Sequence, residues 1–375
     1  MDSAQLLALI DALRGRTVTV IGDVVADEFV YGRVARVSRE APVLILEYDS
    51  TEVVAGAGGN AANNVAALGG LATLAAVVGD DEPAQRLLES LHPAVDHRHV
   101  TCVRGRRTTV KTRILAGGIH SAKQQVVRID RVGQDPDQAA HDAIERAAIA
   151  AVASADAVIV SDYGSGLITP ALAGRVRAAA QRAGRAVPVL VDTRYELLEY
   201  QDLTACTPNE SEVEHALGVR INDDAQVLEN AGREILERTA MQAVLITRGS
   251  RGMALFVTGA PTLHIPIVGS DEIADVTGAG DTVMATMALA LAAGASFEAA
   301  AHLANHAGSV VVMKRGTATV SADELRASIQ SQAGMTAAGN VENAGADSRL
   351  KFSSVGHDGA RAHPENREKN TEKNT

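Results

Sequence analysis

Five short runs of β-branched and apolar residues punctuate the chain: Thr17–Ile21, Leu74–Val78, Ala157–Val160, Val187–Val191 and Ala243–Thr247. Apart from the threonines at 17, 19 and 247, these runs are apolar at consecutive positions, as in a strand buried on both faces. Stretches of helical period separate them, and this alternation predicts an α/β fold with a doubly wound, mostly parallel sheet and helices on both faces. In such sheets ligands bind beyond the carboxyl ends of the strands. Several runs end there in glycine or an acid: Ile21-Gly22-Asp23, Val160-Ser161-Asp162, Val191-Asp192 and Thr247-Arg248-Gly249. The acidic strand ends are therefore candidate site residues.

Two regions depart from this rhythm. Residues 29–54 and 106–130 alternate polar and apolar side chains, and Gly117-Gly118 joins the two runs of the second region. They predict a small antiparallel β sheet inserted into the α/β body, either as a lid over a site or as two surface hairpins without a role there. A lid with an exposed outer face suits pairing with a second copy, so a homodimer through the lid is expected. The stretch Val283–Ala295 is apolar but well short of a membrane span, and predicts a buried, Ala-rich helix. From Gly334 the apolar periodicity stops, and the chain runs through Gly, Asn, Ser and charged residues to ENREKNTEKNT. The expected organisation is one globular domain over 1–333 and a disordered tail over 334–375.

Composition narrows the partners. The chain has 375 residues, 46% hydrophobic and 22% charged, enough to bury a large core. Its net charge of -11 argues against nucleic acid and anionic lipid. Aromatic residues make up 2%, with no Trp, so base-stacking platforms and membrane belts are unsupported. A small molecule is the expected partner. Two cysteines, Cys102 and Cys206, form neither a disulfide framework nor a zinc spacing. With no basic, cleavable leader around Asp2 and Asp11, the expected location is the cytoplasm.

The richest chemistry lies at Ala274-Asp275-Val276-Thr277-Gly278-Ala279-Gly280-Asp281-Thr282, directly before the Ala-rich helix. A glycine turn opening a helix aims several N–H groups and the positive helix end at one place, forming an anion hole. Asp281 in the first turn is placed to deprotonate a hydroxyl while those N–H groups stabilise a transferring phosphoryl group. An acid there also suits a plain helix cap. The segment resembles the D-x-x-G-A-G-D signature of the PfkB/ribokinase family of sugar kinases, complete here from Asp275 to Asp281. The other landmarks of that family follow in order over roughly residues 15–330: Gly22-Asp23, the run Ala55 to Asn64, Thr207 to Glu212, Thr247-Arg248-Gly249 with Gly252, and Asn305 ahead of Lys314-Arg315-Gly316-Thr317.

By that resemblance Asp281 is the catalytic base and Gly278, Ala279 and Gly280 build the anion hole. Asp23, Gly56, Gly58, Asn60, Asn64, Arg128 and Asp162 bind the sugar. Asn209, Thr247, Gly249, Gly252 and Asn305 line the ATP site, and Asn209 with Glu212 organises Mg²⁺ through water. The implied cofactors are ATP and Mg²⁺, with K⁺ as a further candidate beside the anion hole. Taken apart from the resemblance, Asn209 and Glu212 also suit a helix cap with an exposed acid.

Within the family, Arg36 to Val43, Ser161-Asp162-Tyr163-Gly164 and the run Lys111 to Asp130 are similar to the branch that phosphorylates heptose 7-phosphate at C1 on the way to ADP-heptose. That branch usually carries lysine where Ser165 stands here. Arg106, Arg107, Lys111, Arg113, Lys123 and Arg128 are candidates to replace its charge, and equally suit ordinary solvated charges on the lid. Nothing after residue 330 is patterned to form the nucleotidyltransferase module often fused to this branch. The alternative within the family is a kinase of fructose, ribose, fructose 6-phosphate or a nucleoside. Outside it, Gly56 to Ala61 satisfies the loose G-x-G-x-x-A dinucleotide fingerprint, but follows a lid strand and not a strand of the main sheet. A third reading, an inert sugar-binding protein, does not explain the complete glycine loop with its acid; ATP consumption with a sugar panel separates all three.

Overall fold

The computed structural model describes residues 2–117, 123–182, 186–269 and 274–334. The chain divides into one unit of Met1–Gln332 and a second of Ala333–Thr375. The expected tail beyond Gly334 and the turn at Gly118 lie outside the described residues.

In chain order the elements are α1 (Ser3–Leu13), β1 (Thr17–Gly22), β2 (Val24–Val37), β3 (Leu44–Ala57), α2 (Gly58–Ala67), β4 (Leu71–Gly79), α3 (Glu82–Glu89), β5 (Val95–Val103), β6 (Thr109–Gly117) and β7 (Gln124–Arg131). There follow α4 (Gln138–Val152), β8 (Ala157–Asp162), α5 (Pro170–Arg182), β9 (Val189–Thr193), β10 (Ala205–Cys206), α6 (Glu210–Leu217), α7 (Ala225–Thr239), β11 (Ala243–Thr247), β12 (Met253–Val257), β13 (Leu263–Ile265), α8 (Ala279–Ala292) and α9 (Phe297–Val311). All five predicted strands are present.

The large sheet has nine strands in the order β13-β12-β11-β10-β9-β8-β1-β4-β5. From β11 to β5 every pairing is parallel, and only β12, between β11 and β13 at one edge, runs in the opposite direction. Successive side chains of a strand face opposite sides, so the continuous apolar runs feed two cores. Val20, Leu74 and Ile159 enter one with α8 and α9, while Ile21, Val77 and Val160 enter the other with α4, α5 and α7. Helix α8 is buried over all of 281–290. Its small alanines let it lie against the sheet, and an all-apolar helix is stable only when buried.

The lid is a four-stranded sheet ordered β3-β2-β6-β7. It comprises two antiparallel hairpins, β2–β3 and β6–β7, joined by a parallel pairing of β2 with β6. The alternating pattern identified the hairpins, but the direction of their junction is fixed by where β6 leaves β5 in the main body. Strand β2 is buried at its start and exposed from Arg33 onward as it leaves the core. Val34, Val37, Leu44, Tyr48, Val126, Val127 and Ile129 are exposed apolar positions on these strands.

Candidate active site

The lid strands connect directly to the site. Asp23 is the single residue between β1 and β2, and α2 begins at Gly58 directly after β3. At that junction Ala57 holds φ 55°, a conformation that costs a non-glycine residue roughly 1–3 kcal/mol. The sharp entry places Asn60 in the first turn of α2, facing the start of α8.

Helix α8 opens at Gly278, its N-cap, with φ 77°. A side chain there would be strained, and would also collide with the Asn60 amide. Asn60 Nδ2 donates to Asp281 Oδ2 at 2.8 Å, and the Tyr163 hydroxyl donates to Oδ1 at 3.2 Å. Asp281 is therefore not the cap of its helix: Gly278 takes that position, and side chains from α2 and from the end of β8 hold the carboxylate. Asp281 is buried, and burial pushes its pKa up to about 7, against the donors Asn60 and Tyr163; Asp27 adds to the rise and Lys111 opposes it. A carboxylate poised there is suited to take a proton near neutral pH.

Two cavities meet at Tyr163, whose hydroxyl holds this carboxylate, and neither Asp281 nor Asn60 is among their lining residues. The larger, about 420 Å³, is lined by Gly278, Ala279 and Gly280 together with Asp192, Thr207, Asn209, Glu212, Thr247, Gly249, Gly252 and Asn305. The smaller, about 240 Å³, is lined by Asp23, Arg106, Arg107, Lys111, Arg128, Asp130, Ser165 and Tyr195. Tyr163 and Arg194 line both. The residues expected around ATP thus share one cavity, and Asp23 and Arg128 share the other.

Other candidates sit differently. Gly56 and Gly58 line neither cavity; a side chain at Gly56 would strike the Asp27 carboxylate, and one at Gly58 the Asp23 carbonyl. Both lie where the chain leaves no room for a side chain. Asn64 is fully buried behind Asn60, donating to its carbonyl at 3.0 Å and accepting from Thr282 Oγ1 at 3.1 Å and Val320 N at 3.2 Å. It positions Asn60 and lies away from both cavities. Asp162 lines the larger cavity with its oxygens already engaged by Thr193, Tyr200 and the Gly164 amide. Asp23 accepts from Ser165 Oγ at 2.5 Å and Tyr163 N at 2.9 Å, and burial raises its pKa. Among the lysine replacements, Arg113 pairs instead with Asp27 at 2.6 Å and Lys123 with Asp49 at 2.6 Å.

Asn209 and Glu212 form a reciprocal capping box at the start of α6, through Asn209 N to Glu212 Oε2 at 2.9 Å and Glu212 N to Asn209 Oδ1 at 3.0 Å. Cap and cavity wall are both realised, because the box leaves one Glu212 oxygen for the cavity. Beside it Asp192 carries a pKa well above the ordinary value, foremost from burial and then from Glu212, Asp281 and Asp162. Concentrated negative charge of this kind fits a divalent cation held by few carboxylates and several waters. Among the described residues no group of three or more His, Cys, Asp or Glu forms a cage without such help. Thr207 adds a buried hydroxyl with no partner in the larger cavity wall.

Residues 16–324 match the model of the pfkB family carbohydrate kinases. The chain belongs to that family. It is accordingly an ATP-dependent carbohydrate kinase. The "Bifunctional protein HldE" of Caulobacter vibrioides is 42% identical over 337 residues, 89% of this chain and 67% of that protein. The protein of that name from Geobacter sulfurreducens is 40% identical over 320 residues, 84% of this chain and 63% of its own. The chain therefore spans about two thirds of the length of these relatives. In fold it is similar to Arabidopsis thaliana ribokinase complexed with ribose and ATP, at TM-score 0.65 and 21% identity, covering 84% of this chain and 99% of that one. Escherichia coli phosphofructokinase-2 in complex with fructose-6-phosphate aligns at TM-score 0.67 and 19% identity, covering 84% and 98%.

In the sequence Tyr163 stands out only as part of a motif, and no local pattern gives a role to Arg194, Asp27 or Thr207. Strand ends were marked as site positions, and that signal reached Asp192. Nothing local indicated that the residue two beyond it would face both cavities.

Proposed function

We propose that this kinase transfers the γ-phosphoryl group of ATP to C1 of heptose 7-phosphate, giving the 1,7-bisphosphate for ADP-heptose synthesis. The observation that carries the reading is the smaller cavity: Arg106, Arg107, Lys111, Arg128 and Arg194 face it, against the carboxylates Asp23 and Asp130. Asp130 is already paired with Arg128 at 2.7 Å, and burial lowers the pKa of Lys111 foremost, a strain that an incoming anion relieves. A cavity this cationic in a chain of net charge -11 fits an acceptor that already carries phosphate. The similarity to proteins named HldE supports the same branch.

In this reading Asp23 and Asn60 orient the sugar and Asp281 takes the proton of the attacking hydroxyl. The amides of Ala279 and Gly280 meet the transferring oxygens. Mg²⁺, supported by Asp192, Asn209 and Glu212, would neutralise phosphate charge. K⁺ beside the anion hole rests on the family resemblance, and exchange of K⁺ for choline in the assay tests it. Cytoplasmic location and a homodimer through the lid belong to the same proposal, as does the kinase domain over 1–333; among the described residues no helix is long and apolar enough to cross a membrane.

An ADP-release assay decides the substrate. Heptose 7-phosphate is expected to exceed free heptose by orders of magnitude in kcat/KM, because loss of the phosphate leaves the cations facing the cavity without their anion. Ser165→Lys should then lower KM for heptose 7-phosphate with little change in kcat. Preference for a free sugar or for fructose 6-phosphate overturns the assignment and leaves another PfkB-type kinase.

A further inference from the structure

The wall between the two cavities is built from the carboxyl ends of neighbouring strands. Strand β8 delivers Tyr163 and β9 delivers Arg194, and these side chains alone line both cavities among the described residues. The backbone of Arg194 is fixed by its amide, which donates to the Asp162 carbonyl at 3.1 Å. Its guanidinium lies 5.9 Å from the Tyr195 ring centre, and Tyr195 in turn packs against Gly164. Of the other cations of the smaller cavity wall, Arg128 is paired with Asp130, and none of Arg106, Arg107, Lys111 and Arg128 lines the larger cavity. Arg194 makes no ion pair among the described residues, although it lies near enough to Asp192 and Glu212 to lower their pKa values. It is a free guanidinium at the boundary between donor and acceptor sites, on the same boundary as Tyr163, whose hydroxyl meets Asp281.

We propose that Arg194 is a catalytic residue that binds the equatorial oxygens of the phosphoryl group during its transfer, opposite the amides of Ala279 and Gly280. The sugar hydroxyl oxygen bonds to the γ-phosphorus, the bond from that phosphorus to the β–γ bridging oxygen breaks, ADP departs with the electron pair, and the hydroxyl proton passes to Asp281. Charge spreads over the equatorial oxygens as the group crosses between the sites, and only a donor reaching both cavities stays with it throughout. Guanidinium supplies a planar fork for two of those oxygens at once. An interaction made chiefly in flight raises kcat without tightening either substrate. Arg106, Arg107, Lys111 and Arg128 are left for the acceptor's own phosphate. The inference rests on the kinase reading, but not on the choice of sugar.

The test uses whichever acceptor the full chain phosphorylates fastest, so failure with heptose 7-phosphate overturns the substrate assignment and leaves this proposal open to measurement on the better sugar. Arg194→Gln should lower kcat by roughly 10²–10⁴-fold, with KM for ATP and for the sugar each within about threefold. Guanidinium added to Arg194→Ala should restore part of kcat, which a merely structural defect does not allow. In the wild type, aluminium fluoride should tighten binding of ADP with Mg²⁺ and sugar, and that gain should vanish in Arg194→Gln while affinity for ADP alone is kept. A kcat above half of wild type overturns the proposal. So does a rise confined to the KM of a phosphorylated acceptor, which would assign Arg194 to the acceptor's phosphate, or one confined to the KM of ATP, which would assign it to nucleotide binding.

Discussion

Asp281 joins burial to function. Each carboxylate oxygen has one protein donor, from Asn60 and Tyr163, and each keeps a lone pair for an incoming hydroxyl. Replacing it by asparagine should lower kcat by roughly 10²–10⁴-fold, the worth of a positioned base, while ATP affinity measured by calorimetry stays nearly unchanged. Because the base must be ionised and its pKa is raised to about 7, kcat/KM of the wild type should fall as pH drops below that value. The stability effect has the opposite sign. A carboxyl raised from 3.8 to about 7 costs the fold stability progressively as pH rises between those values, where the unfolded chain has lost the proton that the folded one keeps. Asp281→Asn should therefore melt above wild type at pH 8, by on the order of a few kcal/mol at most, with the gap closing towards pH 4. An inactive variant that melts lower at pH 8 would contradict that account of its burial.

At the level of elements, the lid is fastened to the anion hole through a buried ion pair. Asp27 on β2 accepts from Arg113 of β6 at 2.6 Å and from Thr317 Oγ1 at 2.9 Å, while Asp275 beside the glycine turn accepts from the Gly316 amide at 3.0 Å. Lid strands, the turn before α8 and the loop after α9 thus share one polar network. Arg113→Met leaves the Asp27 charge buried without its partner and should destabilise the protein by about 3–5 kcal/mol, read as a lower denaturant midpoint. Glu212→Gln separates the two roles found at α6. Glutamine can still complete the capping box, so stability should shift by less than about 0.5 kcal/mol. Loss of the carboxylate should nonetheless raise the Mg²⁺ concentration needed for half-maximal activity. An unchanged Mg²⁺ requirement would confine Glu212 to capping.

Across the whole molecule, the nine-stranded sheet sets the positions of the strand ends, and the lid reaches out from it over the smaller cavity. Exposed apolar side chains on the lid, among them Tyr48 at 67% and Val37 at 60%, form the face proposed to meet a second copy. Placing acids there, as in Val37→Glu with Tyr48→Glu, should halve the mass measured by light scattering if that face joins two copies. If wild type and variant share one mass, the lid is not the interface.

The α/β class, the five core strands, the Ala-rich helix and the anion hole with its acid follow from the sequence alone. Consecutive apolar residues and a glycine turn before a helix are local patterns with one structural outcome each. The same local reading grouped Gly56, Gly58 and Asn64 with the sugar contacts, since adjacency in sequence does not reveal which side of a turn faces a cavity. In the tertiary structure none of these three lines either cavity, and Asn64 lies behind Asn60. The fold also made Tyr163 and Arg194 the wall between two cavities, because strands β8 and β9 lie side by side in the sheet although 26 residues separate the end of one from the start of the other. The pKa of Asp281 is likewise a property of the fold, since burial, foremost among its causes, comes from chain segments far from it in sequence.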